Sequence, residues 1–576
     1  MKIKKIIKGL FIIMFVLSIL SAASLYYSIT RPPTVLSNSF LVLQLSGEVA
    51  EVCPPDFPEK FFVGEKLSFS GWMENIRKAS VDDRIDGIVL RIGPTNIGLA
   101  KAQELRAVLT NFRGEGKKVI AFIEACGDLE YYIATAADEV YLQPVSYLFV
   151  DGIMVRTTFI RSTLDKVGLE PNFIQIGEYK NAPDPLVRKD MSETHRKATV
   201  SLLESIFTQY IDDISAARGK SPHDMREVID RGYFTAREAI DEGLVDSLLF
   251  WDQIRKKTGI EGEPRMISGL KYSRVKPSSL GLEDGPVIAI IYVTGSIVPG
   301  GEDVGSDESY TSSGAIMKAF QRARADDSVK AVILRVNSGG GEATASEVMR
   351  REAMLTREVK PVITSMSDVA ASGGYYIAAG TDLIVANPGT ITGSIGVYAG
   401  KMNMSKLYEK LGMNPELIKI GENAAIFHET ANWTEKEKEK LSEDLWDYYM
   451  NDFVQRVADN RSLSPDSVDA LGRGRVWSGK QAFDRGLVDR LGTLADAVEI
   501  AKEKAGVDPE ARERLIIYPR PRKFFERLLS MNLESSSSSE SLPVVFREVY
   551  DTLLKWERLS HGGGFFLLMP YDLRVE

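Results

Sequence analysis

The chain has 576 residues, several times the roughly 150 of a typical single domain, so two or more domains are expected. With 44% hydrophobic and 26% charged residues it reads as globular, which excludes a disordered or fibrous chain. A net charge of −9 argues against nucleic acid as a main partner, because phosphate binding needs clustered Lys and Arg.

The N-terminus comes first. Lys2, Lys4, Lys5 and Lys8 precede Gly9 to Ile29, a stretch without charge. Twenty-one residues at about 1.5 Å each span a hydrocarbon core of ~30 Å. The lysines favour the cytoplasmic side, so everything after Arg31 is expected outside the cytoplasm. Ser21-Ala22-Ala23 would suit a cleaved leader, but the apolar run continues through Leu25, Tyr26 and Tyr27. Residues 1–35 therefore read as a cytoplasmic stub and an uncleaved single-pass anchor in the plasma (inner) membrane.

Beyond the anchor the chain repeats itself. Tyr131-Tyr132-Ile133-Ala134 recurs as Tyr375-Tyr376-Ile377-Ala378, an offset of 375 − 131 = 244. Ile88-Val89-Leu90-Arg91 matches Val332-Ile333-Leu334-Arg335, and Ile176-Gly177-Glu178 matches Ile420-Gly421-Glu422, at the same offset. A constant offset over so long a stretch cannot come from composition, so residues 36–258 and 282–505 are two copies of one domain. Apolar runs at Leu41–Leu45, Gly87–Ile92 and Lys118–Ile123 predict buried strands. Helical spacing covers Ala100–Phe112 and Thr344–Thr356, and strands alternating with helices predict α/β units. Residues 259–281, rich in Gly, Pro and Ser, read as a linker. In the C-terminal extension, 506–576, a serine tract at Ser535–Ser539 precedes a predicted helix from Leu542 to Leu559. The run Phe565–Met569 is too short to cross a bilayer and is expected to pack on a neighbouring surface, such as that of another subunit.

The copies share a framework, so their differences point to the chemistry. In the second copy Ser372 stands in Ala370-Ala371-Ser372-Gly373-Gly374-Tyr375, among small residues before a helix-like segment; the first copy has Asp128 there. The first copy has Lys180 in Gly177-Glu178-Tyr179-Lys180-Asn181, where the second has Ala424. One copy keeps an alcohol and the other an amine, and a serine hydroxyl needs a base to become a nucleophile. A lysine serves only when neutral, so burial must lower its pKa from ~10.4. Asn337-Ser338-Gly339-Gly340-Gly341 follows a predicted strand, and its glycine N–H groups suit an oxyanion. Ser394, in Thr392-Gly393-Ser394-Ile395-Gly396, is placed to orient the lysine or to cap a turn. The four histidines, His195, His223, His428 and His561, form no metal motif, and Cys53 and Cys126 allow at most one bridge. No cofactor is implied.

These segments resemble the signal peptide peptidase SppA family (protease IV, peptidase family S49) in its long, duplicated form. Ser372 lies in a match to that family's AASGGY motif, Gly177–Pro185 to its lysine motif, Asn337–Gly341 to its NSPGG loop and Thr392–Gly396 to its TGSIG motif. Two departures stand out. Gly339 replaces the usual proline, and Ser367 stands where glycine is expected. The resemblance implies tandem crotonase-like or ClpP-like domains built of spiralling β-β-α units, and a membrane-anchored homotetramer that degrades cleaved signal peptides. It implies Ser372 as nucleophile, Lys180 as general base, Ser394 as the residue orienting the lysine, and Gly340 and Gly341 as oxyanion donors. The same fold also hosts enzymes of acyl thioesters, and a non-catalytic membrane scaffold is a further alternative.

Overall fold

The computed structural model describes Met14 and residues 31–52, 67–260, 263–301, 309–519 and 566–568. The anchor segment other than Met14, Cys53, and the predicted helix at 542–559 lie outside the described residues. Among the described residues no helix is long and apolar enough to cross a membrane.

The apolar runs become strands buried on both faces. Ile88, Val89 and Leu90 are fully buried, as are Val332, Ile333 and Leu334. That pattern belongs to parallel strands covered by helices on each side. In the first sheet the order is Met266–Ser268, Ser39–Glu48, Ile85–Asn96, Lys118–Ile123, Glu139–Leu142 and Ser247–Leu248, every pairing parallel. The second sheet repeats it with Arg514–Tyr518, Val287–Val298, Val329–Glu342, Val362–Ala371, Leu383–Ala386 and Arg490–Leu491, again all parallel. Registers match too. Gly87 pairs with Phe40, and its equivalent Ala331 pairs with Ile288. Helices Leu99–Gly114 and Ala343–Arg357 cover the predicted spans and extend each by a residue or more.

Each repeat reaches further than the sequence periodicity does. Met266–Ser268 falls within the stretch read as a linker, yet it adds an edge strand to the first sheet, and Tyr272 just beyond it is fully buried in that core. Arg514–Tyr518, past residue 505, is its counterpart in the second sheet. Edge strands this short, set among Gly, Pro and charged residues, leave no compositional mark.

Two features join the repeats. The first is a ladder: Glu170–Ile176 of the first copy runs antiparallel to Val397–Asn403 of the second over seven residue pairs, Val397 opposite Ile176. The second is a buried ionic cluster. The fully buried Arg335 meets Glu51 at 2.8 Å and Glu104 at 3.0 Å, both from the first copy. Lys101 bridges Glu51 at 3.1 Å and Asp368 at 3.0 Å. Burial opposes the charge on Glu51, but Arg335 and Lys101 override it and hold the carboxyl down at about 2. Ser367, the departure from glycine, takes part: its Oγ donates to Glu51 at 2.8 Å and accepts from Arg335 at 3.2 Å. The hydroxyl thus answers to charges that this chain buries between its halves.

Of the C-terminal apolar run, Phe566–Leu568 lies among the described residues and joins the second sheet of its own chain. Phe566–Leu568 pairs antiparallel with Gly340–Glu342 on one side, and Phe566 pairs with Tyr398 on the other.

Candidate active site

Ser372 sits where the strand Val362–Ala371 turns into the helix Gly373–Ala378. Its backbone is at φ 54°, ψ −115°, a region that L side chains rarely adopt. Such strain persists only when surroundings hold it, and here the Ser372 N–H donates to Gly393 O at 2.8 Å while its C=O accepts from Tyr376 N at 2.8 Å. The turn is packed too closely for side chains beside it. A Cβ on Gly373 would meet Ser346 Oγ at 2.7 Å and Gly341 N at 3.1 Å. The glycines after the serine therefore let the Gly340–Gly341 loop stand against the turn.

Lys180 arrives from the other repeat. The strand Glu170–Ile176 delivers it by pairing with Val397–Asn403, which begins three residues after Ser394. Lys180 Nζ lies 2.7 Å from Ser372 Oγ, and 3.1 Å from both the Oγ and the C=O of Ser394. Lys180, Ser372 and Ser394 are all fully buried. Burial alone pushes the lysine well below its ordinary value, with no carboxylate to oppose it. A neutral amine has two N–H donors and one lone pair. Ser394 can take both donors, which aims the lone pair at the Ser372 hydroxyl.

The lysine loop is held from two sides. Asn181 Nδ2 donates to Asp184 Oδ2 at 2.9 Å, and the buried His195 places Nδ1 3.3 Å from the same oxygen. Ser192 caps the long helix Glu193–Arg218 by accepting from His195 N and donates to Asp184 at 3.4 Å. On the opposite side Tyr179 N donates to Arg473 O at 2.9 Å, and the Arg475 guanidinium lies 5.3 Å from the Tyr179 ring centre. Gly474 backs directly onto the lysine: its φ is 84°, and a Cβ there would meet Lys180 Cα at 2.4 Å. Sequence reasoning missed this buttress. The signal available was the Gly472-Arg473-Gly474-Arg475 alternation in front of a strand.

The glycine loop is close by but its two members differ. Gly340 N donates to Ser338 Oγ at 3.1 Å, whereas Gly341 N faces the Gly373 turn. The Gly373 N–H, in the first turn of its helix, has no acceptor within that helix and was also missed from sequence. Val298 and Tyr398, with Phe173, Ala182 and Tyr310 against them, form an apolar cluster where the Gly341 neighbourhood meets the lysine loop. In the first repeat the equivalent turn carries Asp128. Gly152 N donates to its carboxyl at 3.3 Å, and burial raises that carboxyl to about 7. That turn carries an acid in place of the alcohol.

Comparison with known proteins agrees with the repeat. A family model described as peptidase family S49 matches residues 111–261 and 354–508. The chain is 35% identical to the chloroplastic serine protease SPPA of Arabidopsis thaliana over 86% of this chain and 73% of that one. It is 33% identical to Protease 4 of Salmonella typhi over 75% of this chain and 71% of that one. A solved ClpP1 variant from Listeria monocytogenes is 12% identical, covers 36% of this chain and 94% of its own, and has a TM-score of 0.25.

Proposed function

The chain belongs to peptidase family S49, and we propose that it is a serine endopeptidase in which Lys180 of the first repeat activates Ser372 of the second. The observation that carries this is the 2.7 Å separation of the two groups in a fully buried setting without a carboxylate. In the proposed reaction Ser372 Oγ attacks a peptide carbonyl while Lys180 takes its proton. The N–H groups of Gly341 and Gly373 hold the tetrahedral oxygen, at about 3 kcal/mol each in favourable cases. Lys180 then returns the proton to the leaving amine. Water, deprotonated by Lys180, releases the acyl-enzyme. Ser394 keeps the amine aimed throughout.

The apolar cluster around Val298 and Tyr398 favours apolar peptides, and cleaved signal peptides at the membrane are the proposed substrates. The uncharged stretch Gly9 to Ile29 supports a membrane anchor with the catalytic repeats outside the cytoplasm. A spiral of β-β-α units of the crotonase or ClpP type is the proposed finer fold.

Assembly from several copies is also proposed, on the ground of the duplication. Residues 414–420 are the second-copy equivalent of Glu170–Ile176, by 170 + 244 = 414, but they form no strand and are exposed. Ile418 is 91% and Ile420 97% accessible. Their natural partner by equivalence is the stretch 153–159 of another copy, the counterpart of Val397–Asn403. An Ile418→Asp, Ile420→Asp double variant is expected to run smaller than the parent by light scattering; an unchanged particle would overturn this docking.

The test of the dyad is labelling. A serine-reactive phosphonate should modify Ser372 in the parent and fail in Lys180→Ala, with far-ultraviolet circular dichroism unchanged. Equal labelling of both would remove the lysine from the mechanism.

A further inference from the structure

One helix is longer in the second repeat than in the first. In the first, Glu193–Arg218 is an unbroken α-helix between the caps Ser192 and Gly219. Its counterpart lies between the caps Thr434 and Ser462 and runs as Glu435–Asp447, a π-helical turn at Tyr448–Val454, and Gln455–Arg461. Cap to cap the spacing is 462 − 434 = 28, against 219 − 192 = 27. A residue inserted into an α-helix is absorbed as a π-bulge, and such bulges are frequent at functional sites.

The π turn carries Tyr449, whose side chain is fully buried and whose hydroxyl reaches the loop behind Lys180. Tyr449 Oη donates to Asp469 Oδ1 at 2.8 Å and accepts from Arg473 N at 3.0 Å. Asp469 also takes the Arg473 guanidinium at 2.8 Å. Arg473 needs to be held, because its φ is 52°. From this loop the bonds run to both neighbours of the Ser372 hydroxyl. Arg473 O accepts from Tyr179 N at 2.9 Å, beside Lys180, and Arg475 O accepts from Ser394 N at 2.7 Å. The first repeat has none of these side chains at the equivalent positions. At the offset 462 − 219 = 243, Asp469, Arg473 and Gly474 correspond to Arg226, Asp230 and Arg231. Tyr449 corresponds to Ile206 at that offset, or to Phe207 at the offset 434 − 192 = 242 of the N-terminal caps. The hydroxyl belongs only to the repeat that bears Ser372.

We propose that Tyr449 is a positioning residue for the dyad: its hydroxyl fixes the Gly472–Arg475 loop, and through that loop the placement of Lys180 and Ser394. The proposal deepens the peptidase reading above and rests on it. Tyr449 touches no reacting atom. Without its hydroxyl the Arg473 N–H loses its acceptor and the loop relaxes. Water then reaches the Lys180 amine, and the burial that depresses it weakens. The charged groups around the lysine loop stay as they are: Glu178, Asp469, Arg473 and Arg475 on one side, Asp184 and His195 on the other.

Three variants of the full chain test it. Tyr449→Phe keeps the ring and removes the hydroxyl. Asp469→Asn weakens the same chain of bonds from its other end. Tyr131→Phe is the control, since it removes an equally buried hydroxyl, which donates to Leu244 O at 2.8 Å in the first repeat. Hydrolysis of a short apolar reporter peptide is measured across pH. Tyr449→Phe is expected to lower kcat about tenfold with KM unchanged, because a displacement well under 1 Å suffices. It should also move the acid limb of kcat/KM to higher pH, by about one pH unit. Asp469→Asn should change both in the same direction. Tyr131→Phe should keep the parental kcat and acid limb, even where its melting temperature falls as far. An acid limb that stays in place in both loop variants, or moves equally in Tyr131→Phe, overturns the positioning role. So does a loss carried by KM alone. Lys180→Ala separates the two readings. If it is inactive while Tyr449→Phe matches the parent, the positioning role fails and the dyad stands. If Lys180→Ala keeps parental turnover, the dyad fails and the positioning role with it.

Discussion

At the scale of single residues, the proposed mechanism depends on one buried amine being neutral. Ser372→Ala and Lys180→Ala are each expected to lower kcat/KM by on the order of 10⁴-fold, since both belong to one proton-transfer unit. The pH profile has a definite sign. Because burial lowers the Lys180 pKa, activity should be lost as pH falls through that lowered value and should level off below the ordinary lysine value of ~10.4. A kcat/KM optimum in acid would contradict a lysine base. The same shift acts on stability. Between the folded and the ordinary pKa the unfolded chain holds a proton that the folded chain does not, so stability rises with pH across that window. Lys180→Met should therefore be inactive yet more stable near neutrality, by about 0.5–2 kcal/mol, as relief of a functional strain commonly is. The gain should shrink as pH approaches ~10.4, and denaturant titration at several pH values measures it. Gly474→Ala tests the buttress. Its methyl would overlap the Lys180 backbone, and a displacement near 1 Å is expected to lower kcat/KM by about 10²-fold without unfolding the chain.

At the scale of elements, the two repeats are fastened by charges as well as by a ladder. Removing Arg335 leaves Glu104 buried without its cation and Glu51 with Lys101 alone, so Arg335→Met is expected to cost about 3–5 kcal/mol in denaturant unfolding. Ser367→Gly removes only one neutral donor from the cluster and should cost about 1 kcal/mol. Strands and helices of the framework were legible in sequence because each copy spells them twice and their apolar runs are long. Ser372 and Lys180 were legible because each is absent from the other copy. What sequence did not reveal has a common physical character. The edge strands Met266–Ser268 and Arg514–Tyr518 are short and defined by their neighbours. The Gly474 support, the Gly373 amide and the Val298–Tyr398 cluster are matters of approach between distant backbones, which leave only a glycine or an isolated apolar residue behind. Ser367 read as a departure from pattern until Arg335 and Glu51 gave its hydroxyl partners.

At the scale of the whole molecule, the Lys180 and Ser372 that meet at 2.7 Å belong to one chain, which is where the proposed dyad would act. A mixed assembly of Ser372→Ala and Lys180→Ala chains is therefore expected to stay inactive after co-expression, because neither chain holds both groups. Recovery toward a quarter of parental activity would mean that the lysine loop crosses between copies. The location of the pair also says what connects function to connectivity. The seven-pair ladder between Glu170–Ile176 and Val397–Asn403, not the covalent thread between the repeats, is what sets amine against alcohol. A molecule nicked between the repeats should thus migrate as a single particle and go on turning over peptide, two fragments mated like the halves of a clasp.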